Sequence, residues 1–192
     1  MVQNQNSISL EEYKIAPFII GTMRMGQWGS RMKESEIEKF IEGCIALGLV
    51  DFDHADIYGS YTTEADFGAV LRKRPDLRDQ MRITTKCGIK LDSENRPEHL
   101  IKSYDLTQNH IIKSVENSLL ALHTDYIDTL LLHRPDYLLN PHEIASAFTA
   151  LKKEGKVKYF GVSNFSVSQF DLLQEIFPLY THQVEISLLR RE

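Results

Sequence analysis

The sequence predicts an α/β chain of the (β/α)8, or TIM-barrel, type, with about six of the eight strand–helix units present. Two observations carry this. Strand-like and helix-like segments alternate along the whole chain, which means a parallel sheet covered by helices. Strand after strand then ends in a polar residue, and a barrel is the architecture in which all carboxyl ends meet at one rim. A doubly wound sheet needs polar groups only at its switch point. The glycine-rich phosphate fingerprint of such sheets is also incomplete, because Gly21-Thr22-Met23-Arg24-Met25-Gly26 lacks the middle glycine.

The elements follow in order. Residues 18–20 read as a first buried strand. Residues 34–47 place Ile37, Phe40, Ile41, Cys44 and Ile45 at helical spacing, with Gly48 as the stop. Residues 49–53 form a second strand, followed by a short helix with Phe67, Val70 and Leu71 on one side and Pro75 beyond its end. Residues 81–86 are the third strand, and a long polar loop runs from about 88 to 105, a length that is often functional. The next helix starts near Thr107 and buries Ile111, Val115, Leu119 and Leu122. Residues 128–133 are the fourth strand. Asn140-Pro141-His142-Glu143 is a helix start, with an Asn cap and Pro at the first helical position. Residues 157–162 are the fifth strand, Ser166 to Gln169 has the capping-box spacing, and residues 182–188 are the sixth strand.

Composition narrows the function. The chain has 192 residues, read as one barrel domain over 1–192 and cut off on its carboxyl side, since a full barrel takes about 250. A net charge of -5 argues against phosphate-backbone binding, so no nucleic-acid partner is expected. The apolar runs are too short to span a membrane, and the amino terminus lacks a secretory signal. Two cysteines give no disulfide framework and fit a reducing cytoplasm. Cys44 reads as a helix-face core residue, and Cys87, pointing opposite to Lys86, as core rather than nucleophile.

Four polar groups share the chemistry of one reaction. Asp53, Lys86 and His133 end three strands, and Tyr58 lies in the loop after Asp53, within His54-Ala55-Asp56-Ile57-Tyr58-Gly59. A phenol titrates near ~10 and gives up its proton more readily beside an ammonium, which stabilises the phenolate. A carboxylate balances the ammonium, and an imidazole can hold a carbonyl oxygen. Each residue singly has an ordinary explanation: a turn cap, a solvated strand end, a core histidine, a packing ring. Their joint order along the strands favours a catalytic set.

With these residues in place, the chain resembles the aldo-keto reductase family, in its bacterial single-chain branch. Residues 53–59 look like the family's Asp-to-Tyr motif, Thr84-Thr85-Lys86 its lysine strand, and Leu131-Leu132-His133-Arg134-Pro135-Asp136 its histidine strand. Gly161-Val162-Ser163-Asn164-Phe165 and Gln183-Val184-Glu185-Ile186-Ser187 look like the two strands that reach the nicotinamide. The resemblance implies NADPH-dependent reduction of an aldehyde or ketone. Hydride goes to the carbonyl carbon and Tyr58 protonates the oxygen. Lys86 and Asp53 tune Tyr58, and His133 orients the small carbonyl substrate. Ser163, Asn164 and Gln183 hold the carboxamide, Gly21, Thr22 and Met23 line the nicotinamide pocket, and Trp28 walls the substrate site. No metal is implied.

The parent protein is expected to be a monomer. The cut-off sheet has open edges, which predict self-association, and the family's phosphate-gripping end is expected beyond the sixth strand. Two other readings stand beside this one. The chain is a non-catalytic remnant or partner-binding module, or it is a metal-dependent barrel hydrolase using Asp53, His54, Asp56 and His133. Alternation sets Asp53 and His54 on opposite faces, and no tight histidine cluster is present, which counts against the second.

Overall fold

The computed structural model describes residues 17–189. Its elements in chain order are β1 (Ile20–Gly21), α1 (Glu34–Ala46), β2 (Asp51–Asp53), α2 (Thr63–Lys73), a 3₁₀ turn (Pro75–Gln80), β3 (Arg82–Cys87), β4 (Ile89–Lys90), β5 (Ser103–Tyr104), α3 (Gln108–Leu122), β6 (Ile127–Leu132), α4 (Pro141–Lys153), β7 (Val157–Ser163), α5 (Val167–Gln174) and β8 (Thr181–Gln183). Six strands form one all-parallel sheet in the order β1-β2-β3-β6-β7-β8, while β4 and β5 pair as a separate antiparallel hairpin. Spatial order equals chain order, as in an incomplete (β/α)8 barrel.

Register sorts the side chains. Thr84 pairs with Thr129, Lys86 with Leu131, Leu131 with Gly161, Gly161 with Thr181, and Ser163 with Gln183. Because alternate residues of a strand point to opposite faces, these positions share the concave interior. The other parity, Ile83, Cys87, Leu130, Leu132, Phe160 and Val162, is buried against the helices. There it packs with Ile111 and Val115 of α3 and with Ile144, Phe148 and Leu151 of α4. The amino-terminal half has its own apolar cluster around Ile37, Ile41, Phe52, Phe67, Leu71 and Ile83. Gly68 lets α2 and α3 approach closely, since a Cβ there would lie 1.9 Å from the carbonyl oxygen of Ala121.

The predicted caps at Asn140 and Ser166 form, and Thr107 caps α3 as well. Asn140 Oδ1 accepts from the His142 N–H, and Thr107 Oγ1 from the His110 N–H. Ser166 and Gln169 bond each other's backbone N–H in a full capping box.

The differences from the sequence reading lie at the sheet's edges. The first strand begins only at Ile20, and Phe18 and Ile19 are 69% and 45% exposed; among the described residues β1 has a neighbour on one side alone. The last strand is Thr181–Gln183 rather than 182–188. Its partner β7 ends at Ser163 and turns into α5 through Asn164, whose φ is +57°, and the β7–β8 ladder ends with the Ser163–Gln183 pair. Within the predicted polar loop, the β4–β5 hairpin is ordered, and the Leu91 N–H donates to the Tyr61 hydroxyl. Phe40, read as helix core, is 38% exposed, because the buried stripe of α1 is Ile37, Ile41 and Cys44.

Candidate active site

Asp53 ends β2 and pairs with Thr84, so Lys86 stands two residues further along the same interior row of the neighbouring strand. That stagger brings the two side chains together. Lys86 is 1% exposed, and its ammonium donates to Asp53 Oδ1 at 2.7 Å and Oδ2 at 2.8 Å, to the His54 carbonyl at 2.8 Å and to the Tyr58 hydroxyl at 3.2 Å. A buried ammonium is tolerated only with such compensation. Tyr58 arrives from a tight turn in which its N–H bonds the Ala55 carbonyl. Its ring lies 5.0 Å from the Lys86 nitrogen and 6.0 Å, edge to face, from the ring of His133. Asp53, Tyr58, Lys86 and His133 therefore converge at the carboxyl ends of β2, β3 and β6.

His133 is buried, and its backbone N–H bonds the Cys87 carbonyl. Burial first, and then the charge of Lys86, pushes its imidazole down to about 3, so the ring is neutral at physiological pH. Nδ1 is buried without a hydrogen-bond partner.

The remaining predicted residues divide. Ser163, Asn164 and Gln183 gather at the ends of β7 and β8. Asn164 Nδ2 donates to Ser163 Oγ at 2.9 Å, the Asn164 N–H bonds the Gln183 carbonyl, and Gln183 Nε2 reaches Asp53 Oδ2 at 3.3 Å. Trp28 is tilted against Tyr58 with centroids 6.4 Å apart, and its indole N–H donates to Ser60 Oγ at 3.3 Å. Gly21 pairs with Asp53 and offers no side chain to the interior, and a Cβ there would meet open space. Met23 is 38% exposed. Thr22 is fully buried and faces the helix side, where its hydroxyl is taken up by the Asp53 carbonyl and by His54 Nδ1.

The sequence reading missed the use of His54 and Thr22. It also missed a polar cavity of roughly 80 Å³ behind β3, lined by Asp56, Glu64, His99, His110 and Ser118 among others. Glu64 there accepts from Thr85 Oγ1 at 2.5 Å. Burial pushes Asp56 well up and Glu64 up. The signal in the sequence was polar residues at helix-facing parity. Cys87 is buried in the apolar core, and burial pushes its thiol well up. No cluster of three or more His, Cys, Asp or Glu that could hold a metal occurs among the described residues, and no helix there is long and apolar enough to cross a membrane.

The neutral histidines give an acid limb to stability. His54, like His133, is pushed down to about 3, by burial and then by Lys86. Both folded values lie below the unfolded one, near 6.5. The unfolded chain therefore takes up protons that the folded chain refuses. This stability is complete above about pH 6.5 and falls as the pH drops towards 3. By pH 5 each histidine accounts for a loss of about 2 kcal/mol. Asp56 and Glu64, shifted upward, act in the opposite sense, so the measurement is a difference. The urea midpoint of His133→Asn should fall less between pH 7 and pH 5 than the parent's. Equal falls would mean that His133 charges freely in the fold.

A sequence model of the Aldo/keto reductase family matches residues 17–192. The chain is 46% identical over 184 residues to the oxidoreductase YcsN of Bacillus subtilis, covering 95% of this chain and 61% of that protein. It is 48% identical over 172 residues to the oxidoreductase YdhF of Escherichia coli, covering 88% of this chain and 56% of that one. Among solved structures, the glycerol dehydrogenase AKR11B4 from Gluconobacter oxydans superposes with a TM-score of 0.76 at 29% identity, over 90% of this chain and 52% of that one. The chain thus spans about 50–60% of the length of the relatives it matches.

Proposed function

The chain belongs to the aldo/keto reductase family, and from that membership we propose that the protein carrying it reduces an aldehyde or ketone to an alcohol, with Tyr58 as proton donor and NADPH as cofactor. One observation supports this most: a single buried ammonium, that of Lys86, bonds both the Asp53 carboxylate and the Tyr58 hydroxyl. A bound nicotinamide cofactor supplies the hydride for the carbonyl carbon. The residues present suit its carboxamide, which has one acceptor and two donor hydrogens. Ser163, Asn164 and Gln183 offer hydroxyl and amide groups of both kinds beside Asp53, and the bare backbone of Gly21 keeps that side of the interior open.

In this reading Nε2 of neutral His133 donates to the substrate oxygen and sets the carbonyl against Tyr58. The Tyr58 O–H bond breaks and its proton goes to that oxygen. The phenolate left behind is held by Lys86, whose charge is balanced by Asp53. Trp28, packed against Tyr58, forms an apolar wall for the substrate. The reaction consumes one hydride and one proton per carbonyl and returns an alcohol.

The test uses protein expressed from its native locus. Parent protein should oxidise NADPH in the presence of simple aldehydes or ketones, and more readily than NADH. In Lys86→Met the phenolate loses its cation, so the pH–rate profile of the reverse, alcohol-oxidising reaction should move to higher pH. Asp53→Asn should move it the same way by less. Profiles of both variants that overlay the parent's would remove the Lys86–Asp53 pair from the mechanism.

A further inference from the structure

We propose that Thr22 and His54 are positioning residues for Lys86: their hydrogen bond fixes the Asp53–His54 peptide, so that two hydrogens of the buried ammonium are taken and the third is left for Tyr58. The inference rests on the reading of Tyr58 as proton donor.

The protons can be assigned from the partners. Thr22 Oγ lies 3.0 Å from the Asp53 carbonyl oxygen and 3.0 Å from His54 Nδ1. The hydroxyl has one hydrogen, and a carbonyl only accepts, so that hydrogen goes to the Asp53 oxygen. The second contact then requires His54 to donate from Nδ1. His54 Nε2 is left as a bare lone pair, buried without a hydrogen-bond partner, and the ring packs edge to face on Phe67 at 4.5 Å. The Thr22 backbone N–H bonds the same Asp53 oxygen at 3.0 Å, and the His54 N–H bonds the Thr84 carbonyl at 2.8 Å. The peptide between Asp53 and His54 is thereby held from both neighbouring strands.

Both ends of that short stretch grip Lys86. The two Asp53 carboxylate oxygens, at 2.7 Å and 2.8 Å, share one hydrogen, and the His54 carbonyl, at 2.8 Å, takes another. An ammonium has three. The remaining one points to the Tyr58 hydroxyl at 3.2 Å, the longest of these contacts and the one most easily lost if the backbone at His54 shifts. Thr22 and His54 touch none of the reacting atoms; they act through the aim of Lys86.

Two measurements test this. In ¹⁵N-histidine-labelled protein at pH 7, the His54 resonances should be those of a neutral ring protonated on Nδ1. A ring protonated on Nε2 overturns the arrangement, whatever the activity. In protein from the native locus, Thr22→Val removes the hydroxyl at nearly constant volume and should lower kcat by about tenfold with KM little changed. It should also shift the alcohol-oxidation profile towards that of Lys86→Met. Thr22→Ser restores the hydroxyl and should recover most of the lost kcat. Parental kcat in Thr22→Val, or equal losses in Val and Ser, overturns the positioning role. Tyr58→Phe is assayed alongside. If it keeps its turnover, the proton-donor reading has failed, and that result is distinct from parental turnover in Thr22→Val beside an inactive Tyr58→Phe.

Discussion

Tyr58→Phe should lower carbonyl reduction by about 10²–10⁴, the usual worth of a positioned acid in the transition state, while the fold survives. The change deletes one oxygen, whose hydrogen-bond partner is the Lys86 ammonium. Lys86 keeps the Asp53 carboxylate and the His54 carbonyl, so its charge stays compensated. The ring keeps its packing with Trp28 and His133. Thermal unfolding within a few degrees of the parent, together with collapsed kcat/KM, is the expected pair of results. Near-normal turnover would mean that another group or water protonates the product oxygen.

Asp128→Ala should be the most damaging single change to stability, and it lies at the opposite end of the sheet. Asp128 is the second residue of β6 and is buried. Its Oδ2 accepts from Arg78 Nη2 at 2.8 Å and from the Ile83 N–H of β3 at 2.9 Å, and its Oδ1 accepts from Lys158 of β7 at 2.9 Å. Three neighbouring strands meet on one carboxylate. Arg78 is itself buried, with further bonds to Thr124, Met81 and Tyr126, and its guanidinium stacks 3.9 Å over the Tyr126 ring. Removing the carboxylate leaves that cation uncompensated, which typically costs about 3–5 kcal/mol. Whole domains have about 5–15 kcal/mol to lose. Urea unfolding should show a much lower midpoint at an unchanged slope. A loss below about 1 kcal/mol would place Arg78 in solvent in the folded state.

Much of this was legible in the sequence because it depends on local signals. Strand parity put Lys86 and Cys87 on opposite faces, and the interior row runs as alternation requires. Caps at Asn140 and Ser166 are set by side chains two or three residues from their targets. The edges were not legible. Phe18 and Ile186 have the composition of strand residues, but a strand also needs a neighbour, and neighbours are set by the tertiary fold. The Asp128 cluster joins residues up to 50 positions apart, and the Thr22–His54 contact spans 32. A sequence shows which residues can bond but not which meet across such distances. Thr22 illustrates the limit. The resemblance implied that it lines the nicotinamide pocket, and its hydroxyl is engaged by the Asp53 carbonyl and His54 Nδ1.

The identity of spatial and chain order in the parallel sheet bears on how the site is made. Each strand from β2 onward lies against the one synthesised before it, the short β4–β5 hairpin aside. Domains begin to fold from their amino-terminal side as they leave the ribosome. The edge that each new strand needs is therefore already laid down when that strand emerges. Asp53, Tyr58, Lys86 and His133 all come from the first four strands of the sheet and the loops that follow them. His133 precedes Gln183 by 50 positions, so every member of the quartet is synthesised before Gln183. Gln183 then reaches Asp53 from the last strand of the sheet.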